Sequence, residues 1–338
     1  MALKHLTEWS WWSCKKASDF TIRLVIRHTE KRLRCEHTKP KAMSLWAVCS
    51  HLILYNMPDK RYKSTNNLKQ NKMTGKFNLK TPITYYGGKQ TMLKHILPLI
   101  PEHIVYTEAF AGGAAVLFAK QPSKVEVIND LNGELINFYR VCKLNFEALK
   151  IEIDMSIHAR AMHEHSNYVY KHPVFFNPVQ RAWAVWYSAK TSFASMLGES
   201  FGYDRKKGQK AIQMRNAKDN FAEWLRDRLE HITIECDDAL KVIKRFDCEH
   251  AFHFIDPPYI YSDMGHYGGM FNEQNMVELL ELCATLKGKF MLTMYPCDLI
   301  QKYVDAHGWK IHAVERTITA SKVIDKRRRQ VEWMVCNY

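Results

Sequence analysis

The residues best suited to chemistry are an acid, two prolines and an aromatic, namely Asp256, Pro257, Pro258 and Tyr259. They follow an apolar run at 251–255, which predicts a short buried strand. Proline fixes its own φ angle and favours extended geometry in the residue before it, so the pattern predicts a rigid polar edge where the strand ends. On these residues alone, two interpretations remain open: a strand that ends in an ordinary turn, or a site that grips a planar base carrying an amino group.

A glycine-containing loop lies between two further predicted strands at 104–108 and 124–128. Gly112 and Gly113 allow a sharp turn and a close approach of the backbone to a ligand. Asp130 follows the second strand and is placed to accept hydrogen bonds from a ribose diol. The pattern favours a nucleotide-like cofactor, although an ordinary β–α turn explains this motif equally well when it is taken alone.

Two more segments could bind parts of such a ligand. The sequence Tyr-Tyr-Gly-Gly-Lys at 85–89 precedes a predicted helix at 91–99, and backbone N–H groups at a helix start together with a lysine favour an anion, either a phosphate or an amino-acid carboxylate. The acidic segment 235–240 ends another predicted strand, where the Asp238 carboxylate could accept a hydrogen bond from an adenine amino group. Solvated surface acids are the alternative there.

The order of these motifs resembles that of the Dam-type DNA adenine-N6 methyltransferases of the α group. The matching segments are YYGGK at 85–89, EAFAGGA at 108–114, INDLNGELI at 128–136, CDDA at 236–239 and DPPY at 256–259, with further matches at 190–193 and 331–338. The resemblance covers roughly residues 80–338 and none of 1–76. Five motifs in the same order are far more specific than any one of them.

The resemblance implies a role for each motif. The residues expected to bind S-adenosyl-L-methionine are Tyr86, Gly87, Gly88, Lys89, Glu108, Phe110, Gly112, Gly113, Asp130 and Asp238. Asp130 is expected at the ribose and Asp238 near the adenine of this cofactor. The residues expected to grip the target adenine are Asp256, Pro257, Pro258 and Tyr259.

Two positions depart from the family pattern. Ala109 stands where the family commonly has proline, and Ala114 stands where many members have a third glycine. Alanine is acceptable at 114 if that residue has helical φ and ψ angles, so cofactor binding is expected to survive.

The implied fold is α/β, with a doubly wound Rossmann-like methyltransferase sheet and an inserted, mainly helical, loop-rich target-recognition region. Helices are predicted at 131–165 and 176–195, a loop or hairpin at 196–220, and a closing antiparallel pair of strands at 310–318 and 331–338. The expected domains are a basic amino-terminal extension at 1–76, a catalytic domain formed by 77–150 with 225–338, and target recognition at 151–224.

The distribution of charge locates the expected DNA contacts. The net charge is +14, but residues 1–80 contain 17 lysines and arginines against five acids, so the excess belongs to the amino-terminal segment. That segment has three interpretations: a nucleic-acid arm, a transit-like peptide, or upstream sequence without function, with the start at Met73. The third is favoured. Within the enzyme, a basic loop with an aromatic is expected to contact DNA through Tyr203, Arg205, Lys206, Lys207, Lys210 and Arg215.

The implied activity is methyl transfer to the N6 of a flipped adenine in a specific sequence of double-stranded DNA. We expect a monomer in the cytoplasm of a prokaryote or encoded by a phage, without a membrane partner. Nine scattered cysteines contain no CxxC pair, so neither a metal site nor a disulfide framework is expected. Alternatives are a cytosine-N4 DNA methyltransferase, an RNA methyltransferase, or a DNA-binding relic without catalysis.

Overall fold

The computed structural model describes residues 80–204, 208–260, 271–317 and 329–338. Contacts divide the chain into Met1–Lys72 and Met73–Tyr338, and all of the described residues lie in the second unit. The expectations for the amino-terminal extension and for Arg205, Lys206 and Lys207 therefore lie outside the described residues.

A seven-stranded mixed sheet forms the centre of the unit. Its strands are β1 Val105–Glu108, β2 Val125–Asn129, β3 Ile232–Glu235, β4 Ala251–Ile255, β5 Lys289–Met294, β6 Lys310–Thr317 and β7 Arg329–Cys336. The spatial order is β3-β2-β1-β4-β5-β7-β6, in which β1 to β5 are parallel and β7 is antiparallel to both of its neighbours. The predicted doubly wound sheet and its closing antiparallel pair are confirmed.

Helices connect the strands and cover the sheet. They are α1 Leu93–Ile96, α2 Ala115–Ala119, α3 Gly133–Leu144, α4 Phe146–Asp154, α5 Arg160–Lys171, α6 Pro178–Thr191, α7 Gln209–Asp219, α8 Trp224–Leu229, α9 Ala239–Phe246, α10 Glu273–Thr285 and α11 Asp298–His307. Local sequence explains where several of them begin. Asn177 and Gln180 form a reciprocal capping box at α6, with a proline at its first turn, and the Asn132 side chain caps α3.

The hydrophobic core consists of two clusters of buried side chains. Met291 belongs to one cluster, whereas its neighbours Phe290 and Leu292 belong to the other. Because alternate residues of a strand point to opposite faces, the two clusters lie on opposite faces of the sheet. Burial on both faces explains why β4 reads as a continuous apolar run.

The prediction of a loop or hairpin at 196–220 is wrong for the second half of that segment, where helix α7 forms. The sequence of α7 lacks the apolar stripe of an amphipathic helix, and Met214 is its single buried residue. The helical pattern predicted at 131–165 is also interrupted, because α4 ends at Asp154 and α5 begins at Arg160.

No helix among the described residues is both long and apolar enough to cross a membrane.

Candidate active site

The centre of the site is the point at which the strand order reverses. β1 lies between β2 and β4, and Glu108 at the end of β1 is in register with Phe254 of β4. In open α/β sheets, ligands bind in the crevice outside the carboxyl ends of the strands at such a switch point. The glycine loop after β1 and Asp256 after β4 therefore border the same crevice.

Buried Lys89 forms an ion pair with the partly exposed Asp256 at this edge. The Lys89 side chain is 5% exposed, and its Nζ lies 2.6 Å from both carboxylate oxygens of Asp256. The Thr293 hydroxyl at the end of β5 donates to Asp256 Oδ1 at 2.7 Å. Burial raises the pKa of Asp256 above its ordinary value, while Lys89 opposes that rise. The fold thus joins two motifs that are 167 positions apart in the sequence.

Tyr259 and Glu332 extend the same cluster. The Tyr259 hydroxyl donates to Glu332 Oε1 at 2.7 Å, and Glu332 Oε1 lies 3.6 Å from Lys89 Nζ. Lys89 Nζ also lies 4.9 Å from the centre of the Tyr259 ring, and Tyr295 packs edge-on against this ring with centroids 4.5 Å apart.

Glu332 and Thr293 are absent from the predicted site. Glu332 has a signal in the sequence, because it is the single acid within the apolar stretch 331–336, and the structure shows that it is only 1% exposed. Buried acids are almost always paired, so such a position marks a candidate. Thr293 has no comparable signal within the apolar strand β5.

The glycine loop is held by Asp130. Gly112 has φ +47°, its N–H donates to Asp130 Oδ2 at 2.9 Å, and Asn132 N–H donates to Asp130 Oδ1 at 2.9 Å. A Cβ at Gly113 would lie 3.2 Å from the Ile83 carbonyl oxygen, so the close approach of the two segments favours glycine there. Burial raises the pKa of Asp130, and the two backbone N–H groups counter this effect.

Ala114 corrects one expectation. The residue has φ 50° and ψ 41°, which is left-handed rather than right-handed helical. A non-glycine residue pays a steric cost in this region. The methyl group is buried, and the Ala114 N–H donates to the Ala111 carbonyl at 2.6 Å, so the turn into α2 keeps the residue there.

Glu108 is turned towards the start of α2. Its Oε2 accepts hydrogen bonds from the Tyr106 hydroxyl at 2.9 Å and from Leu117 N–H at 3.0 Å. The pKa of Glu108 is raised to about 7, chiefly by burial, and the nearby charge of Asp256 contributes to that rise. Oε1 has no hydrogen-bond partner among the described residues.

Asp238 uses its carboxylate to cap α9, accepting a hydrogen bond from Lys241 N–H at 3.1 Å.

The neighbouring loops are connected by buried Asn129, which sequence reasoning missed. Its side chain donates to the Ala109 carbonyl at 3.0 Å and to the Asp237 carbonyl at 2.9 Å, and accepts from Asp237 N–H at 2.9 Å. Asn129 therefore connects the loops that follow β1 and β3 at the end of β2.

The other predicted cofactor residues occupy the two loops on this edge. Gly87 has φ +74°, and its carbonyl accepts from Lys89 Nζ at 3.1 Å. A Cβ at Gly88 would lie 2.9 Å from the Tyr85 carbonyl oxygen, so this turn requires glycine. Tyr86 is half-buried with a raised pKa, and Phe110 packs edge-on against a neighbouring aromatic ring.

Three of the predicted DNA residues, Tyr203, Lys210 and Arg215, belong to the part of the chain that the structure describes. Tyr203 is 52% exposed and lies beneath Arg160, whose guanidinium carbon is 5.8 Å from the ring centre. Lys210 and Arg215 lie on α7, where Arg215 is exposed. Lys218 of the same helix donates instead to the backbone carbonyls at the end of α4.

Comparison with known proteins gives a consistent result. The model of the D12 class N6 adenine-specific DNA methyltransferase family matches residues 85–320. Type II methyltransferase M1.LlaDCHI of Lactococcus lactis subsp. cremoris is 30% identical over 290 residues, covering 78% of this chain and 97% of that protein. Modification methylase StsI of Streptococcus sanguinis is 36% identical over 63 residues, covering 18% of this chain and 10% of that protein.

Among solved structures, similarity extends to a precorrin-6y C5,15-methyltransferase of Geobacter metallireducens, with a TM-score of 0.31 and 11% identity, covering 73% of this chain and 85% of that one. A putative RNA methyltransferase of Pyrococcus horikoshii has a TM-score of 0.32 and 10% identity, covering 78% of this chain and 91% of that one.

Proposed function

Because the chain belongs to the D12 class of N6 adenine-specific DNA methyltransferases, we propose that the crevice at the ends of β1 and β4 holds S-adenosylmethionine beside a flipped target adenine. The observation that carries this proposal is the buried cluster in which Lys89 and Thr293 fix the Asp256 carboxylate next to the glycine loop.

The charge of the cluster fits a cationic cofactor. Among the described residues, Asp256 and Glu332 contribute two carboxylates and Lys89 contributes one ammonium, and Asp130 adds a further carboxylate at the glycine loop. A buried surplus of negative charge is costly unless a cation balances it. When bound, S-adenosylmethionine supplies an electrophilic methyl group on a positively charged sulfur. Gly112 and Gly113 let the backbone approach this ligand closely, and Asp130 is proposed to accept from its ribose.

Asp256 and Pro257 are proposed to orient the reacting nitrogen. The N6 of adenine is a poor nucleophile, because its lone pair is delocalised into the ring. If the Asp256 carboxylate and the Pro257 carbonyl accept its two hydrogens, the lone pair is directed at the methyl group. The C–N bond then forms as the C–S bond breaks, and Asp256 is the nearest acceptor for the proton that N6 loses. Positioning and electrostatics provide the rate.

Tyr259 is proposed to stack on the target base. The hydrogen bond of its hydroxyl to Glu332 fixes the ring, and such a stacking contact contributes about 1–3 kcal/mol. A paired base cannot reach a crevice of this kind, so the proposal includes base flipping from double-stranded DNA. We also propose that the enzyme is a cytoplasmic monomer.

The decisive experiment combines labelled S-adenosylmethionine, duplex DNA and mapping of the modified bases. We expect the wild-type protein to produce N6-methyladenine in the duplex DNA. Asp256→Asn is expected to lower turnover by at least about 10³-fold while cofactor affinity stays within a few-fold, because the carboxylate acts on the target base. Asp305→Asn, an exposed acid of α11, is the matched control. A fully active Asp256→Asn protein would contradict the proposal, as would label on cytosine or RNA.

A further inference from the structure

We propose that Glu332 is a positioning residue that receives Lys89 from Asp256 when the target adenine enters the site. This inference rests on the proposed function, because it assigns Asp256 to the adenine amino group. Glu332 itself touches neither the base nor the methyl group.

Lys89 and the amino group of the target adenine compete for the Asp256 carboxylate. Lys89 Nζ lies 2.6 Å from both oxygens, and the Thr293 hydroxyl occupies Oδ1 as well. A carboxylate has about four acceptor positions, but an ammonium centred between its oxygens blocks the approach along its axis. An adenine amino group that binds Asp256 must therefore displace Lys89 or share the carboxylate with it.

Glu332 provides the place to which Lys89 can move. Its Oε1 lies 3.6 Å from Lys89 Nζ, which is beyond hydrogen-bond distance but within the distance of an ion pair. A shift of about 1 Å would bring this ammonium into a direct hydrogen bond with Glu332 and keep its charge paired. Without a second anion, leaving Asp256 would strand a buried cation, which is costly.

The topology brings Glu332 to this point. Trp333 of β7 pairs with Met294, the last residue of β5, so Glu332 lies just beyond the carboxyl end of that strand. β7 runs antiparallel to its neighbours, and its amino-terminal half therefore reaches the edge where the parallel strands end. The hydrogen bond from Tyr259 holds the Glu332 carboxylate in place.

The charges around Asp256 predict a pH signature. Lys89 lowers the pKa of Asp256, whereas Glu332 raises it, and among the described residues Tyr259 and Glu108 also interact electrostatically with Asp256. Removing the Glu332 charge should lower the pKa of Asp256. Since the ionised form accepts the amino group, the acidic limb of the activity profile should move to lower pH.

The first test compares Glu332→Gln with wild type and with the exposed control Glu281→Gln of α10. We expect Glu332→Gln to lower kcat about tenfold to a hundredfold, to shift the acidic limb of kcat/KM to lower pH, and to leave cofactor affinity within about threefold. Glu332→Asp keeps the charge and should recover part of kcat. A loss that Glu332→Asp does not relieve, or a limb that does not move, would overturn the inference.

The second test locates Lys89 directly. In a crystal structure with duplex DNA and an unreactive cofactor analogue, Lys89 Nζ should lie nearer to Glu332 than to Asp256. An ammonium still centred between the two oxygens of Asp256 would refute the shift. The two proposals fail separately: an inactive wild-type protein contradicts the proposed function, whereas an active one with an unaltered Glu332→Gln variant contradicts only the role of Glu332.

Discussion

Glu108 is an acid whose ionisation opposes folding. In the native state its pKa is raised from 4.5 to about 7 by burial, so the folded protein binds a proton that the unfolded chain releases. Relative to an ionised Glu108, the protonated carboxyl group therefore stabilises the fold fully below pH 4.5. This stabilisation is lost as the pH rises to about 7, and above that pH the group no longer changes the free energy of unfolding.

Glu108→Gln should remove this dependence while keeping an acceptor for Leu117 N–H. Between pH 4.5 and 7, we expect the wild-type protein to lose about 3 kcal/mol of unfolding free energy relative to the variant. Urea unfolding at a series of pH values without cofactor measures it. Parallel stability curves for the two proteins would show that Glu108 titrates normally.

Individual side chains differ in how far the sequence predicts them. Asp256 and Lys89 belong to recognisable motifs, yet their contact is not predictable from local patterns because the chain between them includes most of the sheet. Glu332 and Thr293 were missed because each is the single polar residue of an apolar stretch, 331–336 and 290–294 respectively, and what it contacts depends on strand order. The assigned roles of the motif residues in binding remain predictions.

The turn between β1 and α2 stores a local conformational cost. Ala114 is left-handed and buried, and at such a position an L-residue pays about 1–2 kcal/mol that glycine avoids. Removing its methyl group loses about 0.8 kcal/mol of burial, so these two effects nearly cancel in Ala114→Gly.

Ala114→Val separates conformation from packing in this turn. A β-branched side chain is a severe outlier at positive φ, and Ala114 is fully buried, so a larger side chain must displace its neighbours. We expect Ala114→Val to lower the free energy of unfolding by about 3 kcal/mol and to weaken cofactor binding, with Ala114→Gly within about 1 kcal/mol of wild type. Urea unfolding and titration calorimetry with S-adenosylmethionine measure both. Equal stability of the two variants would exclude a left-handed Ala114.

Strands were more predictable than helices for a physical reason. The parallel strands are buried on both faces and appear as apolar runs, and β4 has the bounds that the sequence predicts. α7 was missed because its polar sequence buries only Met214. Its helical state depends on contacts made elsewhere in the fold, such as those of Lys218 with the end of α4.

The charge of the whole chain is divided unequally, and the two basic regions can be tested apart. The segment Met73–Tyr338 forms one compact unit, and every described contact of the active site lies within it. We expect a protein that begins at Met73 to keep wild-type kcat and cofactor affinity. Its DNA contacts are then expected to include the exposed Arg215 and the half-buried Lys210 on α7.

The test introduces Lys210→Ala and Arg215→Ala together into the chain that begins at Met73. Each phosphate contact releases condensed counterions, so loss of two contacts should reduce the slope of log affinity against log salt by about 2. Fluorescence anisotropy with duplex DNA at several salt concentrations measures the slope. Lys241→Ala with Lys244→Ala, on α9, is the control for loss of two positive charges. An equal change in both double variants would mean that overall charge, rather than the α7 surface, governs DNA binding. Because these substitutions lie outside the buried cluster around Asp256, kcat at saturating DNA should remain unchanged, which separates docking of the duplex from methyl transfer.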